Sequence, residues 1–192
     1  MEEKVKRIAK LQENRERRNR KTLIFGSSHA KSIKREAFNE QLEMGTADIL
    51  AFAGHTAENI TKFYMSGHLV QECPHSVVFV AGGNDIPHRR ATTKELETIA
   101  NYLIEGGKQC KQNYGVTRVF ICSILPRSFG YFQVNRHRLN GMLKSLCEEN
   151  DLVFIDNSDD IILKHHIGRD GIHLNKVGSH LFMQSILKSL NN

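Results

Sequence analysis

Five short apolar runs set the architecture of this chain: Thr22–Phe25, Asp48–Phe52, Ser76–Ala81, Thr117–Cys122 and Leu152–Asp156. Each is rich in Val, Ile, Leu or Phe and too short for a helix, so each reads as a strand buried on both faces. Helical stretches lie between them. Residues 93–113 place Leu96, Ile99, Ala100, Leu103 and Ile104 on one stripe. Residues 135–149 do the same with Leu139, Met142, Leu143 and Leu146, and residues 176–190 with Met183, Ile186, Leu187 and Leu190. Asn175 stands where the last helix needs an N-cap. Strands alternating with helices predict right-handed crossovers and a three-layer α/β/α sandwich on a five-stranded parallel sheet.

A chain of 192 residues suffices for one such domain or one domain with a tail. Hydrophobic residues at 40% and charged residues at 25% exclude wholesale disorder. No apolar run is long enough to span a bilayer, and the charged first residues do not form a secretory signal. Cys73, Cys110, Cys122 and Cys147 lie far apart, which argues against a zinc ribbon or disulfide scaffold and fits a reduced, intracellular, cytoplasmic setting.

Charge divides the chain in two. Residues 1–21 hold nine Lys/Arg against four Asp/Glu, whereas the remaining residues hold 18 against 17. The basic character belongs to the lead-in and the body is near neutral, so an argument for nucleic acid starts from the lead-in. That segment has no Pro or Gly, and Val5, Ile8 and Leu11 are its only large apolar residues. Such a thin stripe makes a frayed helix or the end of a coiled coil through which the chain could self-associate. The expected organisation is a basic tail over 1–21 and one folded domain over 22–192.

In parallel α/β sheets, function gathers at the carboxyl ends of the strands. The first run ends in Phe25-Gly26-Ser27-Ser28-His29, the second in Ala53-Gly54-His55-Thr56, and the third in Ala81-Gly82-Gly83-Asn84-Asp85. Arg169-Asp170-Gly171-Ile172-His173 precedes the last helix. A serine hydroxyl becomes a nucleophile when a base takes its proton, and histidine suits that work near neutral pH. A carboxylate fixes the histidine tautomer; Asp170 and His173 can meet across one turn that Gly171 leaves free. The N–H groups of Ser28 and Gly54 and the Asn84 amide are candidate donors to an oxyanion, with Ser28 at a helix N-terminus.

These blocks resemble the SGNH (GDSL-type) hydrolases, whose motif blocks carry Ser, Gly, Asn and His in that order. Ser28 matches the nucleophile, Gly54 the oxyanion glycine, Asn84 the G-x-N-D asparagine, and Asp170 and His173 the D-x-x-H block. The resemblance implies a flavodoxin-like sheet of order 2-1-3-4-5. It also implies a serine esterase, acetylesterase or lipase type of activity on a small ester or lipid-like substrate, with no metal or organic cofactor. One departure is Ser27, where the family usually has Asp. The basic lead-in followed by Asp-Gly-Ile-His-Leu-Asn is also similar to esterase domains in first-open-reading-frame proteins of LINE-type retrotransposons, which are associated with RNA. The rival expectation is a non-catalytic RNA-binding or assembly module on the same fold.

The other features read as structural. Asp85 is expected to bond loop backbone, His29 and His55 to be partly exposed, and Arg127 to be a solvated loop residue. Gly106-Gly107 reads as an interruption of a helix. No H-E-x-x-H spacing supports a metal site, and His165-His166 would diverge on a strand.

Overall fold

The computed structural model describes residues 20–158, 161 and 163–192. Its five strands are β1 (Lys21–Gly26), β2 (Thr46–Ala51), β3 (Ser76–Val80), β4 (Arg118–Cys122) and β5 (Val153–Ile155). All pair in parallel, in the order β2-β1-β3-β4-β5. The expected sheet and strand order are therefore those observed, with strand ends shifted by one or two residues.

Helices connect them. A single 3-10 turn (Ala30–Ser32) and α1 (Arg35–Asn39) follow β1. After β2 comes α2, built from Ala57–Asn59, a π-helical stretch Ile60–Tyr64, and Met65–Glu72. Then come α3 (Thr93–Tyr114), α4 (Phe132–Glu149), the short α5 (Leu163–His166) and α6 (Lys176–Asn191). Thr92 and Glu95 form a capping box at the start of α3, and Gly115 ends it in the left-handed conformation at φ 66°. Asn175 caps α6 by accepting a hydrogen bond from the Gly178 N–H at 2.9 Å.

Alternate strand residues feed two cores. Leu23, Phe25, Val77, Phe79, Val119 and Ile121 face Ile60, Leu69, Leu96, Leu103, Leu139 and Leu143, from α2, α3 and α4. Ile24, Val78, Val80, Phe120 and Ile155 face Phe38 of α1 and Phe182, Ile186 and Leu190 of α6. Strands buried on both faces need no polar alternation, which is why they read as continuous apolar runs. Each fully buried Phe or Leu contributes about 1.5–3 kcal/mol of transfer free energy.

Gly106 and Gly107 do not interrupt α3, which runs unbroken through them. They allow close packing: a Cβ on Gly106 would stand 2.6 Å from Thr61 Cγ2, and one on Gly107 2.9 Å from Leu152 Cδ1. His165 and His166 lie on the short helix α5, not on a strand. Most of the lead-in, residues 1–19, lies outside the described residues, and with it the expected tail helix or coiled coil. β1 begins at Lys21, one residue before the expected domain start. Among the described residues, no helix is long and apolar enough to cross a membrane.

Candidate active site

The strand order places the carboxyl ends of β2, β1 and β3 side by side, at the point where successive connections leave in opposite directions. Ser28, Gly54 and Asn84 follow these three ends. The turn after β1 is tightly held. The Ser27 N–H donates to Val80 O at 3.0 Å and the Phe52 N–H donates to Gly26 O at 2.7 Å. A Cβ on Gly26 would lie 2.3 Å from Ala30 Cβ, so only glycine lets the chain reverse here. Ser28 is half-buried at this turn. It is followed by one 3-10 turn and not the full helix expected, so the backbone dipole behind it is short. Ser27 is buried, 2% exposed.

The loop before α6 orients an acid–base pair. Asp170 Oδ1 accepts hydrogen bonds from the Ile172 and His173 N–H groups, both at 2.9 Å. Asp170 Oδ2 lies 2.6 Å from His173 Nδ1. The Ile172 N–H first, then the His173 imidazole, hold the Asp170 carboxyl well below the usual carboxylate range. An ionised carboxylate only accepts, so Nδ1 carries a proton, and Nε2 is the nitrogen whose lone pair is free in the neutral ring. The loop closes through Gly168 N–H to His173 O at 2.7 Å and Gly171 N–H to Gly168 O at 3.0 Å. Gly171 has φ +71°, and a Cβ on it would fall 1.9 Å from Ser128 Oγ.

The structure brings the Ser28 segment to this loop through a residue given no such role from the sequence. His29 is buried, 6% exposed, rather than partly exposed. Its Nε2 lies 2.9 Å from Ile172 O. A carbonyl only accepts, so Nε2 carries a proton and is the donor. Burial pulls the His29 pKa down to about 4. The residue after Ser28 thus bonds the residue before His173, and the His29 and His173 ring centroids are 6.0 Å apart.

The oxyanion candidates are linked as well. The Asn84 Nδ2–H donates to His55 O, the residue after Gly54, at 3.0 Å. Gly54 is exposed with φ +79°. Asp85 bonds loop backbone as expected, accepting from the Ala57 N–H at 3.0 and 3.2 Å. Burial pushes its carboxyl up to about 6 despite that donor. His55 is half-buried, with Nδ1 3.1 Å from Ala53 O. Arg127 is not a solvated loop residue: it is 6% exposed and its Nη2 donates to Asn84 Oδ1 at 2.8 Å. A lone loop arginine carries no sequence signal that would separate these two situations. Among the described residues, no group of three or more His, Cys, Asp or Glu could hold a metal ion.

No protein-family model and no curated protein matches the chain. Solved structures do. An acetyl esterase mutant bound to acetate superposes with TM-score 0.73 at 17% identity, covering 89% of this chain and 96% of that one. An acetylxylan esterase of Geobacillus stearothermophilus gives TM-score 0.73 at 14% identity over 90% and 94% of the two chains. A lipase/acylhydrolase of Enterococcus faecalis gives 0.68 at 19% identity over 90% and 95%. Catalytic mutants of the Geobacillus enzyme replace one serine and one aspartate. The fold defined by this sheet and its helices is the SGNH hydrolase α/β fold of these enzymes.

Proposed function

We propose that the chain is a serine-dependent carboxylic ester hydrolase with Ser28, His173 and Asp170 as its triad. The observation that carries this reading is the clamped Asp170–His173 pair, tied through Ile172 to the residue after Ser28. In this reading His173 Nε2 takes the Ser28 hydroxyl proton as Oγ bonds to the acyl carbon. The carbonyl electron pair moves onto oxygen, where the N–H groups of Ser28 and Gly54 and the Asn84 amide stabilise it. The tetrahedral adduct collapses, the ester C–O bond breaks, and His173 returns the proton to the leaving alcohol. Water then attacks the acyl-enzyme, giving its proton to Nε2. Collapse of the second adduct releases the carboxylic acid and restores the Ser28 hydroxyl. Asp170 holds the imidazole tautomer and balances the imidazolium throughout.

The solved neighbours named as acetyl and acetylxylan esterases and a lipase/acylhydrolase support an ester substrate, and the acetate-bound one favours a short acyl group. The test compares hydrolysis of p-nitrophenyl acetate by wild type and Ser28→Ala, with fluorophosphonate labelling mapped to its residue. Loss of turnover and of label in Ser28→Ala is the expected result. Equal rates in both proteins would overturn the proposal.

The basic lead-in, with nine Lys/Arg against four Asp/Glu over residues 1–21, is the feature from which we propose a second property of the same chain, RNA association and self-association through that segment. Retention of RNA at several salt concentrations, with and without residues 1–19, decides it. A steep salt dependence lost on truncation is expected; no binding by either form would remove the reading.

A further inference from the structure

We infer that Arg127 is a positioning residue, which fixes the direction of the Asn84 amide and strengthens it as an oxyanion donor. This rests on the esterase reading above. Arg127 lies in the loop after β4, whose end adjoins the β3 end that Asn84 follows. Its guanidinium is enclosed. It lies over the Phe132 ring, 5.3 Å from the centroid. It also packs on the Gly83 backbone, where a Cβ would stand 3.0 Å from Nη2. The Gln133 Nε2–H donates to Arg127 O at 2.7 Å and holds the loop from below.

A buried cation is costly unless something answers it. Among the described residues, no carboxylate forms an ion pair with Arg127. Burial lowers its pKa, and the charge of Asp85 acts in the opposite direction. The guanidinium nonetheless stays protonated at any working pH. Its Nε is buried and has no partner. Among the described residues, the Asn84 carbonyl oxygen is the one hydrogen-bond acceptor of its guanidinium, so the charge is spent on orienting that amide.

Two consequences follow from elementary chemistry. A primary amide has one acceptor end and one donor end, and a flip would turn Oδ1 toward a developing negative charge. Arg127 only donates, so Oδ1 must face it and Nδ2 must face the Gly54–His55 loop. One Nδ2–H meets His55 O, which leaves the other for the substrate oxyanion. A charged donor on Oδ1 also draws electron density from the amide nitrogen. That makes the remaining N–H a stronger donor at the moment charge develops. Sequence gives no hint of this, because the link joins residues 43 positions apart.

The experiment is a double-mutant cycle on the whole chain with p-nitrophenyl acetate: wild type, Arg127→Met, Asn84→Ala and both together. Asn84→Ala is expected to lower kcat by about 10²–10³-fold, the scale for one oxyanion donor. Arg127→Met is expected to lower kcat by about tenfold or more with KM within about twofold. In the Asn84→Ala background its effect is expected to fall below about twofold, because a residue acting through Asn84 has nothing left to position. The fluorophosphonate labelling rate of Ser28 is expected to follow kcat. If Arg127→Met gives no folded protein, Arg127→Lys and Arg127→Gln carry the same cycle. An Arg127 effect of equal size in both Asn84 backgrounds, or a wild-type kcat in the Arg127 variants, would overturn the inference while leaving the esterase reading intact. Wild type that neither turns over ester nor labels at Ser28 would overturn both.

Discussion

Replacing Asp170 with asparagine isolates the tautomer of His173 from its placement. Asp170 uses its two oxygens differently: Oδ1 holds two backbone N–H groups and Oδ2 faces His173 Nδ1. Asparagine has one oxygen. That oxygen stays on the Ile172 and His173 N–H groups, since the opposite rotamer would set an NH₂ against two donors. The amide nitrogen then faces Nδ1 and donates to it. Nδ1 must become the acceptor, so the ring proton moves to Nε2, where it blocks proton transfer from Ser28. The loop keeps its backbone bonds and the site keeps its shape, but the base is in the wrong form. The expected fall in kcat is about 10⁴-fold, the scale for this tautomer error in a Ser-His-Asp site. Steady-state hydrolysis of p-nitrophenyl acetate measures it, and thermal unfolding confirms a fold close to wild type. A kcat within about tenfold of wild type in a folded Asp170→Asn protein would refute the reasoning.

Three further outcomes are expected. His29 is held neutral by burial at a pKa of about 4. It therefore contributes stability that is present above about pH 6.5 and is lost as pH falls toward 4, on the order of 3 kcal/mol in all. Urea unfolding of wild type and His29→Gln at pH 7 and pH 4 checks this; parallel losses in both would refute it. Asp85, pushed up to about 6, acts in the opposite direction, so the comparison is made between variants and not between pH values alone. Gly171→Ala is expected to lower kcat and cost about 1–3 kcal/mol, from its positive φ and the collision with Ser128 Oγ. Adding Ser128→Gly is expected to recover only the collision part, measured by the same two assays. Finally, Gly106→Ala is expected to destabilise by about 1–3 kcal/mol against Thr61, whereas Gly141→Ala in α4, with open space around it, is expected to stabilise by about 0.5–1 kcal/mol. Melting temperatures of opposite displacement would bear this out.

The parallel sheet was legible because strands buried on both faces must be apolar throughout, and Ile24, Val78 and Phe120 have nowhere polar to point. The helix α3 was legible from its stripe, yet Gly106 and Gly107 misled: glycine weakens a helix on average, but here it is the only residue that lets Thr61 and Leu152 approach. The helix α2 was not seen. The wider winding over Ile60–Tyr64 shifts the phase of its apolar residues, so no single 3.6-residue stripe runs through it. At the site, Asp170 and His173 stand three residues apart around a glycine, a spacing that carries its geometry within itself. His29 and Arg127 act across 143 and 43 positions, and local pattern holds no record of such distances.

The bond from His29 to Ile172 joins the first strand to the loop before the last helix. During synthesis, Ser28 therefore leaves the ribosome long before His173 does. In the esterase reading proposed above, the chain stays chemically silent until the loop carrying Asp170 and His173 has emerged and docked, and any cleavage that sets this loop adrift switches the serine off without touching it.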